Sequence, residues 1–181
     1  MVSKKGMRGY PSQEDVIQRV IKAVCTLYRY DRELLDVDAN ERSITHKLAE
    51  HLQQEFPEWH VDCEYNRVGC KTKKVLVNVG EPKPDDIEAK TVFPDIIVHK
   101  RWRPENLLVI EAKKASGQDD SGDIDKLKRF TEVPEYRYKY GLLLKLEQNG
   151  RFELKLYKNG ELYDCWTGDL QHILKELGYG G

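Results

Sequence analysis

Two short apolar runs, each with an acid at one end, most restrict how this chain can fold. Pro94-Asp95-Ile96-Ile97-Val98-His99 sets an acid ahead of its apolar residues, and Leu107-Leu108-Val109-Ile110-Glu111-Ala112-Lys113 sets an acid and a base behind them. Runs of this length, bounded by turn residues, predict strands, and strands apolar on both faces belong inside a sheet. Between them lies Arg101-Trp102-Arg103-Pro104-Glu105, a turn-prone stretch. Side chains alternate along a strand, so Glu111 and Lys113 point the same way. A turn centred on Arg103 makes the pairing antiparallel and sets Asp95 across from Glu111. Their Cβ atoms would then lie about 4.5–5.5 Å apart.

Opposed carboxylates destabilise a sheet, and burial raises the cost. A divalent cation between them removes the conflict. Mg²⁺ takes oxygen ligands, commonly one or two carboxylates with water or phosphate completing the shell. Lys113, one pleat further on, would orient an attacking water or help to remove its proton.

The rest of the chain supplies a scaffold. Residues 1–11 are polar and contain Gly6 and Gly9, which predicts a flexible N-terminus. Ser12 is a helix cap, and Val16, Val20, Ile21, Val24 and Leu27 follow at helical spacing to about residue 28. Asp38-Ala39-Asn40 opens a second helix, with Ile44, Leu48, Leu52 and Phe56 on one stripe and Pro57 ending it. Strands are expected at 59–66, 74–79, 93–99 and 106–112, then an acidic loop at 117–122 and a helix over 123–130. A hairpin pattern spans 138–146 and 151–157, Asn159-Gly160 turns into a strand at 161–166, and Asp169 caps a short last helix. Residues 12–181 therefore read as a single α/β domain around a mixed sheet.

Composition sets the outer limits. The chain has 181 residues, enough for one core and too few for two ordinary domains. Its longest apolar runs, such as 107–110 and 141–144, fall far short of a membrane span. No apolar segment follows the basic start, so no secretory signal is expected. Cys25, Cys63, Cys70 and Cys165 are scattered, with no zinc spacing, which fits reduced thiols in a cytoplasmic protein. The net charge is −1, so the molecule as a whole does not attract polyanions. Basic clusters such as Lys71-Thr72-Lys73-Lys74 and Lys126-Leu127-Lys128-Arg129 still allow a basic face.

With Pro94-Asp95 as one half-motif and Glu111-Ala112-Lys113 as the other, fifteen residues between the acids, the sequence resembles the PD-(D/E)XK nuclease superfamily. The resemblance covers about residues 38–146 and implies a restriction-endonuclease-like mixed β-sheet flanked by helices. It further implies that Asp95, Glu111 and the carbonyl of Ala112 bind Mg²⁺, with Mn²⁺ as a substitute, and that Lys113 serves the attacking water. Glu41, in Asn40-Glu41-Arg42-Ser43-Ile44-Thr45-His46, matches the glutamate that members often add from a helix before the sheet. The segments Glu64-Tyr65-Asn66-Arg67 and Asp125-Lys126-Leu127-Lys128 look like pieces of bacterial and prophage-encoded members. Glu41 is either a metal ligand or an acid favoured by the helix dipole. His46, Arg67, Lys126 and Lys128 are either nucleic-acid contacts or solvated side chains, and Glu64 either joins the site or pairs with Arg67. A second acid-Ala-Lys, in Asp85-Asp86-Ile87-Glu88-Ala89-Lys90, follows two prolines and no apolar run, so it reads as loop.

The implied activity is hydrolysis of phosphodiester bonds, with DNA as the expected partner; dimerisation would suit cleavage of both strands. The alternatives are an inactive relative that binds nucleic acid or protein, and an unrelated adaptor in which Asp95 and Glu111 pair with basic side chains.

Overall fold

Ser12 takes extended backbone and accepts a hydrogen bond from the Asp15 N–H, while Asp15 reaches back to the Ser12 N–H. This capping box starts α1, Gln13–Tyr30, whose buried stripe runs from Val16 to Tyr28. A short helix that the periodicity does not reveal, α2 (Arg32–Asp36), follows at once. Asn40 caps α3, Glu41–Glu55, accepting from the Ser43 N–H at 2.8 Å. Its Ile44, Leu48 and Leu52 are buried, as is Phe56 just beyond it. The computed structural model describes residues 9–37, 39–65, 67–68, 71–72, 93–115, 119–169 and 172–173.

Strands β1 (His60–Cys63), β2 (Arg67–Val68), β3 (Lys71–Thr72), β4 (Ile96–His99) and β5 (Asn106–Lys114) come next. Helix α4 (Ser121–Glu132) then leads to β6 (Tyr140–Leu146), β7 (Arg151–Lys158) and β8 (Glu161–Asp169). Six strands form one sheet in the order β1-β4-β5-β6-β7-β8, and β2 pairs with β3 apart from it. Only β5 and β6 run parallel among the pairs of the large sheet, joined through α4; the other neighbours are antiparallel. The result is an α/β fold with a mixed sheet between two helical layers.

Burial alternates across that sheet. Ile96, Val98, Leu108, Ile110, Leu142 and Leu144 share a core with α1 and α3. Ile97, Val109 and Leu143 meet Leu127 and Phe130 of α4 on the other face. Each of these side chains contributes about 1.5–3 kcal/mol by leaving water. The Tyr28 hydroxyl donates to the Glu147 and Arg151 carbonyls, tying α1 to the β6–β7 turn. At the edge, Asp62 of β1 pairs with both His99 of β4 and Arg101. Burial opposes ionisation of Asp62, yet those two hydrogen bonds hold its carboxyl well below the usual range.

Several boundaries depart from the pattern-based expectation. Residues 9–11 of the expected flexible start make contacts: the Tyr10 ring lies 5.6 Å from that of Trp59, and Pro11 accepts from Lys139. Helix α4 begins at Ser121, inside the expected loop. Asp169 pairs with Arg151 in β8 rather than opening a helix. Of the expected last helix, only His172 and Ile173 are described, and both are helical. Residues 1–8, the strand at 74–79, the loop with Pro82 and Pro84 that follows it, and the second acid-Ala-Lys all lie outside the described residues. Among the described residues no helix is long and apolar enough to cross a membrane.

Because Asn40 fixes where α3 starts, it also places Glu41. Asn40→Ala should cost about 1 kcal/mol in urea denaturation, and Asn40→Asp should keep most of the stability. An Ala variant as stable as the wild type would mean that the cap does not hold this helix end.

Candidate active site

The site grows from the last residues of β5. Ile96 pairs with Ile110, so Asp95 and Glu111 hold the next positions along the hairpin. Asp95 stands one residue ahead of β4, and its Oδ2 accepts the Ala112 N–H at 2.9 Å. The alternation that turns Ile97 and Val109 toward α4 turns Asp95, Glu111 and Lys113 the same way. The connection from β5 to α4 is short, so the first turns of α4 return to the end of the strand. They bring Asp123 and Lys126 with them.

Lys126 Nζ lies 3.2 Å from Glu111 Oε2 and 2.9 Å from Asp123 Oδ1. The other Asp123 oxygen pairs with Lys113. The Glu111 side chain is only 3 % exposed, and its Oε1 has no hydrogen-bond partner among the described residues. Burial raises the pKa of Glu111 well above the usual range; the charge of Asp95 adds to the rise and Lys126 opposes it. Asp95 is also raised by burial, against the Ala112 N–H and Lys126. Asp123 moves the other way. Burial disfavours its charge, but the hydrogen bonds from Lys113 and Lys126 hold it below the usual carboxylate range. Its hydrogen bond to Lys113 in turn raises the lysine's pKa.

On the other side of the strand end, the Lys114 N–H donates to Glu41 Oε1 at 3.4 Å, and the Lys114 ammonium donates to the Ala39 carbonyl. These bonds dock the start of α3 against β5. A cleft of about 320 Å³ opens between the start of α3, the end of β1 and Asp95, lined by Glu41, Arg42, Thr45, His46, Cys63, Glu64 and Asp95. Glu64 pairs with Arg42 of α3 at 2.8 Å. The Arg67 backbone lies in β2, and its side chain is outside the described residues.

The structure thus gathers Asp95, Glu111, Ala112, Lys113 and Glu41 around one strand end, with His46 across the cleft. Lys126 points into the site rather than outward. Lys128, two residues on and so about 200° around the helix, points elsewhere. Asp123 belongs to the acidic run 119–125, which lacks calcium-loop spacing, so no motif marks it as a site residue. Its signal was available: an acid in the first turn of a helix that closely follows a strand must come back beside that strand's carboxyl end, where open α/β sheets bind ligands.

Could these groups hold a cation? Among the described residues no three His, Cys, Asp or Glu side chains form a ready set of metal ligands, and Glu41 does not join Asp95 and Glu111 in one. Mg²⁺ does not need three, since one or two carboxylates with waters suffice. A buried carboxylate with a bare oxygen, next to a second desolvated carboxylate, fits that requirement. Compared with models of protein families and with curated proteins, the chain matches none.

The raised pKa of Glu111 carries a stability cost with a definite sign. Folded Glu111 holds its proton at pH values where the unfolded side chain has lost it, so the wild type loses stability as pH rises from about 4.5. Glu111→Gln should match the wild type at low pH in EDTA. It should then gain on it by up to about 1.4 kcal/mol per pH unit, until the folded-state carboxyl ionises. Urea denaturation across pH 4–8 reads this; a Gln variant that never overtakes the wild type would refute it.

Proposed function

We propose that this chain is a divalent-cation-dependent nuclease of the PD-(D/E)XK kind that hydrolyses phosphodiester bonds, in DNA foremost. The observation that carries the reading is buried Glu111, its Oε1 without a hydrogen-bond partner among the described residues, beside desolvated Asp95 at the end of β5. The mixed sheet with helices on both faces is consistent with the restriction-endonuclease-like fold expected for this class. Asp95, Glu111 and the Ala112 carbonyl would hold Mg²⁺. When bound, the cation would offset negative charge on the phosphate and make water a better nucleophile.

The protein's own groups do the rest. Lys113, paired with Asp123, would orient the attacking water or help to remove its proton. Glu41 and His46 face the cleft through which a phosphodiester would reach Asp95. Arg42, largely exposed at the same cleft and paired there with Glu64, would meet a phosphate only by sharing its guanidinium with that carboxylate. The Ala112 N–H fixes one Asp95 oxygen, which leaves the other for a ligand.

One observation favours a second reading. Lys126 already supplies a positive charge to Glu111, and a site neutralised from within is what an inactive relative that binds nucleic acid or protein would have. Turnover separates the two. Purified protein should cut supercoiled, linear or single-stranded DNA, or RNA, with Mg²⁺ or Mn²⁺ and not with EDTA. Asp95→Asn and Lys113→Ala should each lower the rate on the order of a hundredfold or more. Specific metal binding without cleavage of any of these substrates would favour the inactive relative. Cleavage that is indifferent to EDTA or to Asp95→Asn would remove this site from the reaction.

A further inference from the structure

Lys126 is not an ordinary surface lysine. Its ammonium bridges Glu111 Oε2 and Asp123 Oδ1, and its charge acts on Asp95 as well as on Glu111. It satisfies one Glu111 oxygen, and the other is buried with no partner among the described residues. Glu111 lies at the centre of the acids, so any second cation brought to Oε1 would face the ammonium across a poorly hydrated space, where like charges repel strongly.

We propose that Lys126 is a built-in counter-ion that competes with a divalent cation for Glu111. The inference rests on reading Asp95 and Glu111 as the cation site. With no divalent cation present, the ammonium keeps the buried carboxylate from standing alone. When the cation binds, Lys126 gives up Glu111 and remains on Asp123, its second anchor, so neither partner is left uncompensated. The lysine's side chain is 29 % exposed, which leaves it room to withdraw toward solvent. Asp123 is then a positioning residue with two tasks: it pairs with Lys113 and it receives Lys126. The coupling is reciprocal. Whatever the ammonium costs the cation in affinity, the cation costs the Lys126–Glu111 pair.

The test uses Mn²⁺ and the full chain, with affinity read by electron paramagnetic resonance of free Mn²⁺. Lys126→Met should bind Mn²⁺ about fivefold or more tightly than the wild type. It should melt lower than the wild type in EDTA and recover on adding Mn²⁺. Lys22→Met, which removes an exposed positive charge on α1, should leave the affinity unchanged. Equal or weaker binding by Lys126→Met, while the wild type binds, overturns the competition and leaves the cation site standing. Binding by neither protein overturns both. Binding by Lys126→Met alone supports competition in its strongest form.

If Lys126→Met does not fold, the wild type still decides. Acetylation of the Lys126 amine, followed by mass spectrometry, should speed up at saturating Mn²⁺ as the ammonium leaves Glu111. An unchanged rate overturns the proposal.

Discussion

Strand β5 is buried on both faces, and every other feature of the site follows from that. From Asn106 to Ala112 its residues are all buried, with α1 and α3 over one face and α4 over the other. Apolar side chains gain from this position, and Glu111 pays for it. Its neighbours reflect the cost. Asp95 is anchored to the Ala112 N–H, Lys126 reaches in from α4, and Asp123 gathers both lysines. Three carboxylates and two ammonium groups thus meet at one strand end, so among these five the acids are left in excess.

The same layering separates two kinds of task. Side chains on the α4 face carry the charge network, while the α3 face supplies the cleft and docks Glu41 against Lys114. The strand end lies between them. The Ala112 carbonyl and the Asp95 carboxylate are therefore held by the sheet and not by a loop, and that rigidity suits a site that must fix ligands within tenths of an ångström.

Much of this arrangement could be read from the chain because it depends on local rules. Asn40 caps α3 with its own side chain, and Asn159 and Gly160 both take positive φ, as a two-residue hairpin turn between β7 and β8 requires. The turn centred on Arg103 gives the Ile96–Ile110 pairing, hence the positions of Asp95 and Glu111. It fails closer to the turn, where His99 pairs with Asn106 and Leu107 is left over as a bulge. That extra residue lets Leu107 and Leu108 enter the same core, which a strict period of two forbids. What could not be read depends on how whole elements approach one another. The Arg42–Glu64 and Lys126–Glu111 pairs join residues 22 and 15 apart, and no spacing rule connects them.

Lys126 also explains why stability alone is a poor account of the site. A buried ion pair is often no better for folding than well-packed apolar residues of the same size, and half of this one is unsatisfied. An apolar residue at position 111 would continue the run that Leu107 begins and remove the repulsion with Asp95. It would also let Asp123 hold Lys113 and Lys126 without a competitor. A chain under pressure only to fold would gain from that change. Glu111 beside Asp95, at the carboxyl end of a parallel strand where ligands bind in open sheets, costs the fold stability, a cost that the cation proposed for this strand end would offset.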